Sequence, residues 1–161
     1  MHIGLLEDDE DQRRLISLWL RAGGHTHREY GTIAEMTEGL KRESFDLLLL
    51  DWVLPDGNSE EVIHWVRRNL GWEVAVVVLT ARDEESGVVQ ALQAGADDYV
   101  VKPPKQNELI ARLSAAARRA RPGGLPVLHL GVYEVDIQRH VLSMEGAPVS
   151  LTQKEFDLAV Y

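Results

Sequence analysis

The strongest constraint on this chain is a set of short apolar runs in which hydrophobic and polar residues do not alternate: Ile3–Leu6, Leu47–Leu50, Val74–Leu79 and Tyr99–Val101. A strand with one face in water alternates with period two, so an unbroken apolar run must be covered on both sides. The last two runs are rich in β-branched residues, which favour the extended chain. A mostly polar run, Thr26–Tyr30, suits an edge strand. Between the runs lie helical patterns at Gln12–Ala22, Ile33–Arg42, Asn58–Arg68, Glu84–Ala94 and Gln106–Ala120. In the first, Leu15, Ile16, Leu18, Trp19 and Leu20 fall largely on one stripe before Gly23–Gly24. Thr32 and Glu35 form a capping box for the second, and Gly95 stops the fourth. Strand–helix units in succession predict right-handed crossovers and a doubly wound α/β sheet.

The pattern changes after residue 120. Arg121–Pro126 reads RPGGLP, a linker signature. Val127–Leu151 reads as short strands broken at Gly131 and Gly146–Ala147, which predicts an antiparallel meander. Thr152 and Glu155 form a second capping box before Phe156, Leu158 and Ala159. The helix so announced runs into Tyr161, and the tail is too short to bury a core of its own. It reads as the opening of a second domain whose remainder lies outside these residues.

Composition narrows the function classes. A hydrophobic content of 45% supports a real core, and a net charge of −9 argues against a dominant nucleic-acid surface. With no cysteine, disulfides and thiolate metal sites are excluded. The first apolar run turns acidic at Glu7, unlike a signal peptide, and no run approaches the roughly 20 residues of a membrane span. The expectation is a soluble, cytoplasmic protein with no membrane contact.

Glu7 and Asp8 follow the first strand and Asp51 the third; Thr80 ends the fourth and Lys102 the fifth. In a parallel α/β sheet these carboxyl ends share one edge, where such folds place their sites. Three carboxylates brought together repel unless a cation intervenes, and an all-oxygen set suits Mg²⁺. Asp51 is then a competent nucleophile toward an activated phosphoryl group, forming an acyl phosphate. Lys102 supplies positive charge for the transferring oxygens, and the Thr80 hydroxyl can hydrogen-bond the product.

With LLEDDE, LLLLDWVLPDG, VVVLTA and GADDYVVKP in this order, residues 1–120 resemble a response-regulator receiver domain. Residues 127–161, ending SLTQKEFDL, resemble the start of the winged-helix effector of the OmpR/PhoB family, with 121–126 as linker and the recognition helix absent. The resemblance implies a flavodoxin-like fold with strand order 2-1-3-4-5. It assigns Asp51 as phosphoacceptor, Asp8 as direct Mg²⁺ ligand, Glu7 as a ligand through water, and the Val53 backbone carbonyl as a further ligand. Asp9 is left to begin the first helix. The resemblance makes Thr80 the switch hydroxyl, Tyr99 the switch aromatic and Lys102 the lysine of the family pattern, with a cis bond before Pro103. It further implies a sensor histidine kinase as phosphodonor and a homodimer through the fourth helix, fifth strand and fifth helix, using Asp97, Asp98, Glu108, Arg112 and Arg119. The full-length parent would bind DNA and regulate transcription; residues 1–161 alone would not. Catalysis is limited to self-phosphorylation and autodephosphorylation at Asp51.

Three residues depart from the family pattern. Pro104 stands where Phe is usual, Ser59 replaces a common glycine, and Val88 replaces a basic residue expected to pair with Glu108 across the dimer. Arg82, two residues after Thr80, is expected to influence acyl-phosphate hydrolysis. The remaining conspicuous side chains read more blandly: His25 and His27 as edge residues, His64 on an exposed helix face, Trp19, Trp65 and Tyr161 as packing residues, and Trp52 as partial cover for the site. A haloacid-dehalogenase-type phosphatase would need a second Asp where Val53 stands. An FMN carrier would find its phosphate loop occupied by Glu-Asp-Asp-Glu-Asp. A stand-alone receiver acting through protein partners is the alternative to a transcription factor.

Overall fold

The predicted runs form one parallel sheet of β1 (His2–Leu6), β2 (Thr26–Tyr30), β3 (Leu47–Asp51), β4 (Ala75–Thr80) and β5 (Asp98–Val101). Its order is β2-β1-β3-β4-β5, with every neighbour parallel, as a flavodoxin-like receiver requires. The computed structural model describes residues 1–81, 85–120, 128–130, 132–136, 141–144 and 147–149, in two units, Met1–Arg121 and Pro122–Tyr161.

The unbroken runs are explained by two cores. Alternate residues point to opposite faces of a strand. Leu6, Leu48, Leu50, Val76 and Val78 therefore pack on one side, against α2 (Ile33–Leu40), α3 (Glu60–Asn69) and α4 (Glu85–Ala94). Ile3, Leu5, Leu47, Leu49, Val77 and Leu79 pack on the other, against α1 (Glu10–Ala22) and α5 (Gln106–Ala120). Gly4 lets this sheet close up: a Cβ there would lie 2.8 Å from Leu48 Cδ2.

Local signals act much as their chemistry suggests. Thr32 Oγ1 accepts from Glu35 N at 3.2 Å, but the Glu35 carboxylate returns to Gly31 N at 2.9 Å, one residue before the N-cap. The stripe on α1 is narrower than expected. Ile16 and Leu20 are buried and Trp19 partly so, whereas Leu15 and Leu18 face solvent, because they lie around the helix from the line that meets the sheet. His64 is exposed and Trp65 packs against the first core. His27 is more enclosed than an edge residue need be, with a side chain 5% exposed and Nε2 3.2 Å from Glu29 Oε1. A hairpin pairing Val53–Leu54 with Gly57–Asn58, turned at Pro55–Asp56 and entered again through Gly57 at φ 143°, had no strand signal.

In the second unit β6 (Leu128–Leu130), β7 (Tyr133–Asp136), β8 (Val141–Met144) and β9 (Ala147–Val149) pair antiparallel in sequence order, as the predicted meander does. Ala147 belongs to β9 and not to the break before it. The linker, the second capping box, Tyr161 and Arg82 lie outside the described residues. Among the described residues, no helix is long and apolar enough to cross a membrane.

Candidate functional site

Each predicted polar residue sits where a strand ends. β1 stops at Leu6, and Glu7 N donates to Tyr30 O at 3.1 Å, so Glu7 enters the edge of the sheet. Asp9 caps α1, accepting from Gln12 N at 2.9 Å, which leaves Asp8 free of helix duty. Asp51 is the last residue of β3 and Thr80 the last of β4; Lys102 follows β5.

The three acids converge. Carboxylate oxygens of Glu7, Asp8 and Asp51 lie within 4.8 Å of one another, with Glu7 and Asp51 buried and Asp8 exposed. Lys102 Nζ donates to Asp51 Oδ2 at 2.8 Å and lies 2.9 Å from Glu7 Oε2. Among the described residues, the buried Glu7 Oε2 has the Lys102 charge beside it but no well-aligned hydrogen-bond donor. Burial pushes the Glu7 carboxyl above its ordinary range; the Lys102 ammonium opposes this in part, and the Asp51 charge reinforces it. For Lys102, burial alone would lower the pKa, but the bond to Asp51 and the close carboxylates of Asp51 and Glu7 outweigh it and raise the value.

Among the described residues, one ammonium faces three carboxylates, and one buried carboxylate oxygen lacks a directed donor. This hard, all-oxygen, under-neutralised donor set fits Mg²⁺. Thr80 is buried at the edge of the cluster, and its hydroxyl makes a long contact to Ala81 O at 3.5 Å. Val53 opens the hairpin two residues after Asp51, with its side chain largely exposed. Trp52, next to Asp51 in the chain, is buried and belongs to the first core. The Lys102–Pro103 peptide is cis, as expected. Tyr99 is partly buried against the first core. Pro103 and Pro104 wall a groove of about 450 Å³ with Leu15, Trp19 and Lys102.

Two contacts had no sequence signal. Arg13 Nη1 donates to Glu7 O at 2.6 Å, clamping the acidic turn from the first turn of α1. The buried Ser59 donates from Oγ to Asp51 O. Both bonds depend on loop paths that local sequence does not encode.

The residues assigned to a dimer face are grouped but already engaged within the chain. Arg112 Nη1 and Arg119 Nη2 lie 3.3 and 3.8 Å from Asp98 Oδ2, and Arg112 Nε is 3.2 Å from Glu108 Oε1. Asp97 instead takes Arg67 Nη2 at 2.9 Å and the Val76 N–H at 2.7 Å.

The family model for the response regulator receiver domain matches residues 3–114. The DNA-binding response regulator MtrA of Mycolicibacterium smegmatis is 35% identical over 97% of this chain and 68% of its own length. The phosphate regulon transcriptional regulatory protein PhoB of Pseudomonas aeruginosa is 31% identical over 96% of this chain and 68% of its own. Among solved structures, DrrB, an OmpR/PhoB homologue from Thermotoga maritima, superposes with a TM-score of 0.66 at 26% identity, covering 99% of this chain and 70% of that one. A putative response regulator from Chloroflexus aurantiacus gives 0.69 at 26% identity over 72% and 96%.

Proposed function

The chain belongs to the response regulator receiver family, among regulators of the OmpR/PhoB type, and on that premise we propose that Asp51 is its phosphoacceptor. The observation that carries this is the Asp51 carboxylate at the end of β3, 2.8 Å from the Lys102 ammonium and grouped with Glu7 and Asp8. An Asp51 oxygen attacks phosphorus, the bond to the leaving group breaks, and the leaving group departs with the electron pair. Lys102 keeps a positive charge beside the oxygens that gain negative charge. In this reading the Thr80 hydroxyl hydrogen-bonds the new phosphoryl group. Water later attacks phosphorus, returning Asp51 and inorganic phosphate. Glu7, Asp8, Asp51 and the Val53 carbonyl would hold Mg²⁺, which neutralises charge on the transferring group.

The physiological donor in this reading is a sensor histidine kinase. Phosphorylation biases a two-state equilibrium in which Thr80 and Tyr99 move inward, and the α4–β5–α5 surface, with Asp97, Asp98, Glu108, Arg112 and Arg119, forms a homodimer. Residues 1–120 are the receiver, 121–126 a linker, and 127–161 the opening of a winged-helix domain. The antiparallel β6–β9 sheet supports that last assignment. A parent carrying the rest of that domain would regulate transcription by binding DNA.

Intact mass after incubation with acetyl phosphate and Mg²⁺ tests the site. One added phosphoryl group is expected on the wild type, none on Asp51→Asn, and none with EDTA. Equal gain by Asp51→Asn would move the acceptor elsewhere.

A further inference from the structure

Ser59 stands at the N-cap of α3, where a serine ordinarily accepts a hydrogen bond from its own helix. It makes no such bond. Its hydroxyl turns back and donates to the backbone carbonyl of Asp51, while its N–H donates to Trp52 O at 3.1 Å. Ser59 is fully buried, and a buried hydroxyl is costly unless bonded, so this orientation is strongly preferred.

The consequence lies in what those two carbonyls flank. Asp51 contributes the attacking carboxylate, and Trp52 leaves the sheet ladder through its N–H to Leu79 O at 2.8 Å. Val53, next in the chain, is the residue whose carbonyl would face the metal. Ser59 therefore grips both peptide groups between the nucleophile and the carbonyl ligand, from a helix end packed into the first core by Val62, Ile63 and Val66. The glycine common at this position in the family would keep the N–H bond and lose the hydroxyl bond.

We propose that Ser59 is a positioning residue for phosphoryl transfer, holding the Asp51–Val53 backbone in the geometry that binds Mg²⁺ and presents Asp51 for attack. This rests on Asp51 being the phosphoacceptor. Without its hydroxyl bond the segment samples orientations that separate the carboxylate from the carbonyl. Mg²⁺ affinity and transfer rate then fall together.

The test compares wild type, Ser59→Ala and Ser59→Gly with Ser17→Ala. Ser17 is also buried, but it donates to Glu29 Oε1 at 2.7 Å on α1 and β2, so it controls for loss of a buried hydroxyl. Mg²⁺ affinity is measured by calorimetry without a phosphodonor, and phosphorylation by acetyl phosphate is followed by intact mass across Mg²⁺ concentrations. Loss of one hydrogen bond predicts Mg²⁺ binding roughly two- to tenfold weaker in both Ser59 variants, with a matching rise in the Mg²⁺ needed for half-maximal rate. Ser17→Ala should leave both unchanged whatever its effect on the melting temperature. If wild type is phosphorylated and the Ser59 variants bind Mg²⁺ as Ser17→Ala does, the positioning role is overturned and the Asp51 reading stands. If wild type takes no phosphoryl group, both fall. Should Ser59→Ala fail to fold, Ser59→Gly alone decides, since it removes the hydroxyl and keeps the N–H bond.

Discussion

At the scale of single residues, the site is held in electrostatic tension. Glu7 is buried beside Asp51, and its pKa is raised by burial despite the nearby Lys102. A carboxyl whose folded pKa lies above its unfolded value stabilises the fold fully below the unfolded pKa and loses that contribution as pH rises through the folded one. Ionised Glu7 thus costs stability near neutral pH when no metal is bound. Glu7→Gln should raise the melting temperature in EDTA at pH 7.5, and the gain should shrink as pH falls toward 4.5. The same variant should show a smaller melting shift on adding Mg²⁺. A scan at two pH values with and without Mg²⁺ checks both; a Glu7→Gln protein less stable than wild type in EDTA at pH 7.5 would show that the Lys102 pairing outweighs the burial cost. Arg13, which clamps the Glu7 carbonyl, belongs to the same scale and was invisible in the sequence because nothing local announces a contact reaching back six residues.

Between elements, Arg67 on α3 is the most connected side chain among the described residues. It donates to Gly95 O, Gly71 O, Val74 O and Asp97 Oδ2, each at 2.8–2.9 Å, and stacks on Trp72 at 4.2 Å. Those bonds tie the end of α3 to the approaches of β4 and β5 and to the end of α4. Arg67 and Asp97 are both largely buried, so removing the cation strands a buried carboxylate. Arg67→Met should cost about 3–5 kcal/mol in urea unfolding, with part recovered in Arg67→Met/Asp97→Asn. A loss under 1 kcal/mol would mean that the Val76 N–H and solvent suffice for Asp97. The same tie bears on the proposed dimer face, because Asp97 pairs with Arg67 of its own chain just as Arg112 pairs with Asp98 and Glu108, and Arg119 with Asp98. If the proposed dimer forms, Val88 in place of a basic residue removes one intersubunit ion pair, and exposed pairs contribute only about 0–1 kcal/mol each.

For the molecule as a whole, charge and domain content point the same way. Net charge is −9 over 161 residues, and the second unit is described only as a four-stranded antiparallel sheet. Phosphate contacts dominate protein–DNA affinity, so residues carrying this net negative charge should bind DNA poorly. These residues alone should show no sequence-specific retention on promoter DNA in a gel-shift titration, whether or not Asp51 is phosphorylated. Specific retention would place a DNA-binding surface within residues 1–161.

The sequence by itself determined the layered α/β sheet, because runs such as Leu47–Leu50 and Val74–Leu79 can be dry only when both faces are covered. It also determined which residues meet: parallel strands carry Glu7, Asp8, Asp51, Thr80 and Lys102 to one edge whatever the loops do. Tertiary structure decided the rest. Which leucines of α1 are buried depended on the helix's rotation over the sheet, so Leu15 and Leu18 came out exposed. The grip of Ser59 on Asp51, the capture of Asp97 by Arg67 and the bond from Lys102 to Asp51 link residues 8, 30 and 51 positions apart along loop paths with no sequence period. Periodicity reports which face a residue takes within its own element; contacts between loop ends are set by how the elements dock.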